Sequence, residues 1–161
     1  MKTVILFVCT ANICRSPMAE GLLRDKARRA GDSELFEVQS AGTWAMEQQP
    51  ASGNALIVLA QRGIDLSAHR SKMVTRCEMD AAAVVIVMTR SHREALAAEF
   101  PFHRPKIHLM SELVCRVYDI GDPYGGTLTE YESTARQLQG LIEDGYEKIK
   151  LWTSNIAAPT S

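Results

Sequence analysis

The segment Cys9-Thr10-Ala11-Asn12-Ile13-Cys14-Arg15-Ser16 joins a thiol, a guanidinium and several hydroxyl and amide groups in the pattern C-x5-R-S. Wound into a tight loop, such a segment turns successive backbone N–H groups inward and forms a nest for an anion. A helix starting at its end adds unpaired N–H groups and a partial positive charge. Arg15 adds a planar fork that binds two phosphoryl oxygens at once. Cys9 shares this field, which favours its thiolate. A thiolate at the base of a phosphate cradle is a nucleophile aimed at phosphorus. The bland alternative is a buried strand-end cysteine and a solvated arginine. The bare pattern separates the two poorly, so the surrounding elements decide.

A thiolate displacing an oxygen leaving group needs a proton donor. Asp122-Pro123-Tyr124-Gly125-Gly126 supplies a carboxyl in a loop shaped by proline and glycine. Asp122 there serves first as general acid and then as base for the attacking water. Asp119 is its local competitor. Taken alone, Asp122-Pro123 reads as an ordinary turn.

The elements around these residues form a consistent frame. Val4 to Val8 is a short, uniformly apolar, β-branched run, as in a strand covered on both faces. Ser16-Pro17 reads as an N-cap with proline at the first helical position. The helical pattern continues through Met18, Leu22, Leu23 and Ala27 and ends at Ala30-Gly31-Asp32. Further strands are expected at 36–39, 84–88 and 107–110. Further helices are expected at 52–61, 91–98 and 128–149. Loops are expected at 43–53 and 118–126, and a turn between Pro101 and Pro105. Strands alternating with helices predict a single α/β domain with a parallel sheet. The Cys9–Ser16 segment then leaves the carboxyl end of the first strand, where ligands bind in such sheets. The domain is expected over 1–152, with 153–161 as a flexible tail.

Composition narrows the partners. The chain has 161 residues, 46% hydrophobic and 23% charged, with a net charge of −1. No strongly basic field argues for nucleic acid or an anionic membrane, so any anion site is local. The apolar run after Lys2 is too short for a signal peptide and has no cleavage site. No run approaches the ~18 apolar residues of a membrane helix. The chain reads as cytoplasmic. Cys9, Cys14, Cys77 and Cys115 include no C-x-x-C pair, and His69, His92, His103 and His108 do not bracket them with zinc-finger spacing. No metal site is expected, and Cys77 and Cys115 read as packing or surface residues.

The chain resembles the low-molecular-weight protein tyrosine phosphatase family from Val4 to about Ile149. The likeness is carried by Val8 through Glu20, by Ser40-Ala41-Gly42-Thr43, by Gly63-Ile64 with His69, and by Asp122-Pro123-Tyr124. It implies a three-layer fold with a four-stranded parallel sheet flanked by helices, and no metal or organic cofactor. Cys9 would be the nucleophile forming a thiophosphate, Arg15 the phosphoryl ligand and Asp122 the general acid and base. Ser16 would hydrogen-bond the Cys9 thiolate. Thr10, Ala11, Asn12, Ile13, Cys14 and Ser16 would make up the phosphate-binding loop. Asn12, Ser40 and His69 would hold it in shape. Ile13, Trp44 and Tyr124 would wall the substrate slot. Cys14 would be the reversible disulfide partner of Cys9.

Two departures from the family pattern matter. Ala11 stands where glycine is usual; the loop is strained if that position needs positive φ, and the change is silent otherwise. Gly125-Gly126 replaces a second aromatic and opens one side of the slot, as in bacterial members that include protein arginine phosphatases. Those arginine-specific relatives carry threonine at the position of Ile13, whose branched apolar side chain suits an aromatic ring. The resemblance therefore implies hydrolysis of phosphotyrosine in proteins, releasing inorganic phosphate. The alternatives are an arginine phosphatase of the same fold, an arsenate reductase working by thiol redox chemistry, and a silent phosphate-binding module. Arsenate reductases need further paired cysteines downstream, and Cys77 and Cys115 are far apart in this sequence.

Overall fold

The computed structural model describes residues 1–154. The chain runs β1 (Thr3–Cys9), α1 (Arg15–Arg29), β2 (Phe36–Gly42), α2 (Gly53–Ala60), α3 (Arg76–Ala81), β3 (Val84–Val87), α4 (Arg90–Glu99), β4 (Ile107–Leu109) and α5 (Leu128–Ser154). Two short 3-10 helices, Pro101–Lys106 and Met110–Val114, flank β4. The strands form one parallel sheet in the order β2-β1-β3-β4. The expected α/β class and four-stranded parallel sheet are therefore present.

The β1 sequence explains its central place. Ile5, Phe7 and Cys9 face a core built with Met18 and Leu23 of α1 and Leu138 and Ile142 of α5. Leu6 and Val8 face the opposite core, with Met79 of α3 and Leu96 of α4. A strand with two buried faces carries no polar alternation, hence the continuous apolar run. Burying each such side chain contributes about 1.5–3 kcal/mol. The chain visits β2 on one side of β1 and then crosses to β3 on the other. The strand order reverses at the carboxyl end of β1, and the Cys9–Ser16 loop leaves from that point.

Four expectations are corrected. Helix α1 starts at Arg15, with Cys14 in the N-cap position and no side-chain cap. Ser16 is therefore already inside the helix, and its hydroxyl is engaged with Cys9 instead. Pro17 falls in the first turn, where its missing N–H is one of the unpaired donors anyway. Strand β2 extends to Gly42, since Cys9 and Gly42 are still in register. Helix α3, closed at its start by a Thr75–Glu78 capping box, is an added element. Helix α5 continues through Thr153 and Ser154, so those two residues are helical and not tail. The rest of the expected tail, 155–161, lies outside the described residues.

Candidate active site

The Cys9–Ser16 loop is held by Asn12. Its backbone is left-handed, at φ 60°, a conformation asparagine tolerates better than most side chains. Its buried amide donates to Ser16 Oγ at 2.8 Å and to Ser40 Oγ at 2.9 Å. Asn12 Oδ1 accepts from the Lys72 amide at 3.0 Å, and its carbonyl accepts from His69 Nε2 at 2.7 Å. Ser40 and His69 thus both bond to Asn12. The left-handed residue is Asn12 and not Ala11, so alanine in place of glycine there is silent.

Cys9 ends β1 with its sulfur 2.9 Å from Ser16 Oγ. Ser16 Oγ also lies 3.5 Å from the Ala41 carbonyl. A Cys9 thiolate has no hydrogen of its own, so in that form the serine hydroxyl is the donor to sulfur. Around them the backbone is pinned: Thr43 N–H donates to the Cys9 carbonyl and Trp44 N–H to the Thr10 carbonyl. Gly42 makes this approach possible. A Cβ there would lie 2.4 Å from the Thr10 carbonyl oxygen.

Arg15 is buried, and Nη1 donates to the Ile120 carbonyl at 2.8 Å. Nη2 lies 3.5 Å from Asp122 Oδ2. Its buried Nε has no partner among the described residues, and an unmade charged donor of this kind is costly unless an anion completes it. The two candidate acids are separated by their partners. Asp119 is bound to the Arg90 amide and guanidinium, whereas Asp122 faces Arg15. Asp122 Oδ1 also accepts from the Tyr124 amide at 3.0 Å, and the left-handed Gly125 (φ 77°) turns the chain beyond it.

The remaining predicted residues divide. Ile13 is half-buried against the core and its carbonyl accepts from the Ser52 amide. Trp44 and Tyr124 are strongly exposed, at 81% and 69%. Cys14 Sγ lies 3.2 Å from Tyr131 Oη and 3.4 Å from Ser52 Oγ. Burial pushes the Cys14 thiol up, and burial together with the Cys14 contact pushes the Tyr131 hydroxyl up to about 12. All four cysteines are free thiols. Among the described residues no cluster of three His, Cys, Asp or Glu could hold a metal, and no helix is long and apolar enough to cross a membrane.

Sequence reasoning missed Ser52, Tyr131, the Lys72 amide and the Ile120 carbonyl. It also missed His92, which is buried and has Nε2 2.9 Å from Thr10 Oγ1. Burial, followed by the charge of Arg15, lowers the His92 imidazole to about 4. Each of these contacts spans many residues, so local spacing carries no sign of it.

Comparison with known proteins agrees with this geometry. The low molecular weight phosphotyrosine protein phosphatase family matches residues 4–151. A protein-arginine-phosphatase of Geobacillus stearothermophilus is 38% identical over 91% of this chain and 95% of its own. A probable low molecular weight protein-tyrosine-phosphatase of Ralstonia nicotianae is 32% identical over 93% of this chain and 98% of its own. The crystal structure of a low molecular weight protein tyrosine phosphatase from T. tengcongensis superimposes with a TM-score of 0.87 at 41% identity, covering 91% of this chain and 99% of that one. With the cysteine loop, the buried arginine and the aspartate loop in one place, the chain belongs to the low molecular weight phosphotyrosine protein phosphatase family.

Proposed function

We propose that the protein hydrolyses phosphotyrosine in proteins through a phosphocysteine intermediate. The observation that carries this reading is the convergence of Cys9, Ser16, Arg15 and Asp122 at the carboxyl end of β1. The buried, unpartnered Arg15 Nε and the loop amides receive the phosphoryl oxygens. The Cys9 thiolate attacks phosphorus and the P–O bond to the tyrosine breaks. Asp122 gives its proton to the departing phenolate oxygen. In the second step the Asp122 carboxylate takes a proton from water, the water oxygen attacks phosphorus and the P–S bond breaks. The Ser16 hydroxyl hydrogen stabilises the leaving thiolate, and inorganic phosphate is released. Ile13, Trp44 and Tyr124 wall the slot. Cys14 acts as the disulfide partner that protects an oxidised Cys9.

The catalytic unit in this reading runs to the end of α5 at Ser154, and its location is the cytoplasm. Free thiols at all four cysteines, one of them the nucleophile, fit a reducing compartment.

A second reading keeps the mechanism and changes the substrate to phosphoarginine, with a P–N bond broken in place of P–O. The relative named as a protein-arginine-phosphatase supports it. The all-carbon side chain of Ile13 favours a ring over a phosphoguanidinium, a discrimination worth ~1–3 kcal/mol for one pocket residue. Initial rates on matched phosphotyrosine and phosphoarginine peptides, with Cys9→Ala as control, decide between them. Faster phosphotyrosine turnover, absent in the control, supports the main reading. Faster phosphoarginine turnover overturns it in favour of the second.

A further inference from the structure

We propose that His92 is a positioning residue of the phosphate loop, acting as a neutral hydrogen-bond donor through Thr10. The inference builds on the proposed function and adds an element that lies outside the loop and its aspartate.

The tautomer follows from the partners. His92 Nδ1 faces the Thr89 amide, which donates to it at 3.2 Å. Nδ1 is therefore an acceptor, and the ring proton is on Nε2. That proton is directed to Thr10 Oγ1 at 2.9 Å. Arg15 Nη2 approaches the same oxygen at 3.5 Å. With its oxygen facing two donors, the Thr10 hydroxyl sends its own hydrogen elsewhere. Thr10 follows the nucleophile directly and is only half-buried, so that hydrogen is free to meet a bound oxyanion. The charged groups facing the imidazole are Arg15 from α1 and Asp119 and Asp122 from the aspartate loop.

The contact also closes a triangle. Thr10–His92 joins the phosphate loop to the first turn of α4. Arg90–Asp119 joins that turn to the aspartate loop, and the Ile120 amide ties the same loop to the Met88 carbonyl just past β3. Arg15 joins the phosphate loop to the aspartate loop through Ile120 and Asp122. His92 is the buried corner of this triangle, and it is capped in place by Thr89 Oγ1, which accepts from the His92 amide at 3.1 Å. Losing its N–H leaves Thr10 free to turn and loosens the register between nucleophile and acid, where small misplacements are costly.

The test is a double-mutant cycle of His92→Phe and Thr10→Val on the full chain, with His92→Gln as the conservative variant. Three quantities are measured: kcat and KM on an aryl phosphate, the Kd of inorganic phosphate, and the melting temperature. The expected result is that His92→Phe lowers kcat/KM by roughly 10- to 100-fold and weakens phosphate binding, the effect of losing one buried hydrogen bond. The double variant is then no worse than either single one. His92→Gln, which retains an N–H donor, restores activity to within about threefold of wild type, less than the loss of one net hydrogen bond. Additive losses in kcat/KM overturn the proposal. So does a fall in melting temperature with kcat and phosphate Kd unchanged. Wild-type protein that turns over no phosphorylated substrate overturns the proposed function instead, and phosphate Kd across the cycle alone then decides the role of His92.

Discussion

Ser16 Oγ sits between two partners, accepting from Asn12 Nδ2 at 2.8 Å and lying 2.9 Å from the Cys9 sulfur. The same hydroxyl reaches the Ala41 carbonyl at 3.5 Å, and a Cys9 thiolate, with no hydrogen to give, draws the serine hydrogen to sulfur. Asn12 holds the serine oxygen beside the Cys9 sulfur, and the loop scaffold and the proposed chemistry meet in one hydroxyl.

Ser16→Ala removes that hydrogen with little change in volume. Stabilisation of the leaving thiolate is worth ~1.5–3 kcal/mol, as for other hydrogen bonds to charged groups. The expected outcome is a fall in kcat of roughly 10- to 100-fold, concentrated in breakdown of the phosphocysteine. Rapid-mixing kinetics on an aryl phosphate should show a burst of released phenol followed by a slow steady rate.

Asn12→Ala loses three side-chain hydrogen bonds and places alanine in a left-handed conformation. The donor and acceptor groups left behind at Ser16, Ser40 and Lys72 are buried or half-buried. Denaturant unfolding should show a loss of about 2–4 kcal/mol, with phosphate binding lost in parallel.

Gly42→Ala brings a Cβ within 2.4 Å of the Thr10 carbonyl oxygen. Backbone cannot yield there cheaply, because the same carbonyl accepts from the Trp44 amide. A destabilisation of ~1–3 kcal/mol is expected, as for overpacking generally. A larger loss of activity than of stability is the specific mark, read by comparing kcat/KM with the unfolding midpoint.

His92 gives the stability a pH signature. Its imidazole is held near about 4 in the fold, against an ordinary 6.5, chiefly by burial. The unfolded chain therefore takes up this proton at higher pH than the folded one, and stability falls as pH drops from 6.5 towards about 4. The full effect is on the order of 3 kcal/mol. His92→Gln should flatten the decline in unfolding free energy over that window relative to wild type.

Cys14→Ala tests the protective role of the second loop thiol. After brief peroxide treatment, Cys9 sulfenic acid in the wild type condenses with Cys14 to a disulfide and water, which added thiol reduces. In the variant this partner is gone, and recovery of activity by thiol should drop sharply. Equal recovery in both proteins would remove Cys14 from that role.

The parts of the site legible in the sequence are those carried by contiguous residues. Cys9 through Arg15 lies between an apolar strand and a helix, so its shape follows from the two elements that bound it. Proline and glycine neighbours mark the Asp122 loop in the sequence but do not set Asp122 apart from Asp119; their partners, Arg15 for the one and Arg90 for the other, are visible only in the structure. The helix start was misplaced because Ser16 suits an N-cap by type, while the pull of Cys9 and Asn12 on its hydroxyl is tertiary. Ala11 could not be resolved either way from sequence, since the left-handed turn of the loop falls one residue later, on Asn12. His92 and Tyr131 were invisible for a simpler reason. They approach the loop from α4 and α5, and only the crossing of the chain from β2 to β3 and its return bring them there.

The central claim is a covalent phosphoryl group on Cys9, and Asp122→Ala tests it most directly. With 4-nitrophenyl phosphate the leaving group needs little help from an acid, so the first step survives while water activation fails. Rapid quench and peptide mass spectrometry should then find the Cys9 peptide carrying one phosphoryl group, at higher occupancy than in wild type and absent in Cys9→Ala. Turnover of the same substrate with no phosphorylated Cys9 peptide in any variant would contradict the account.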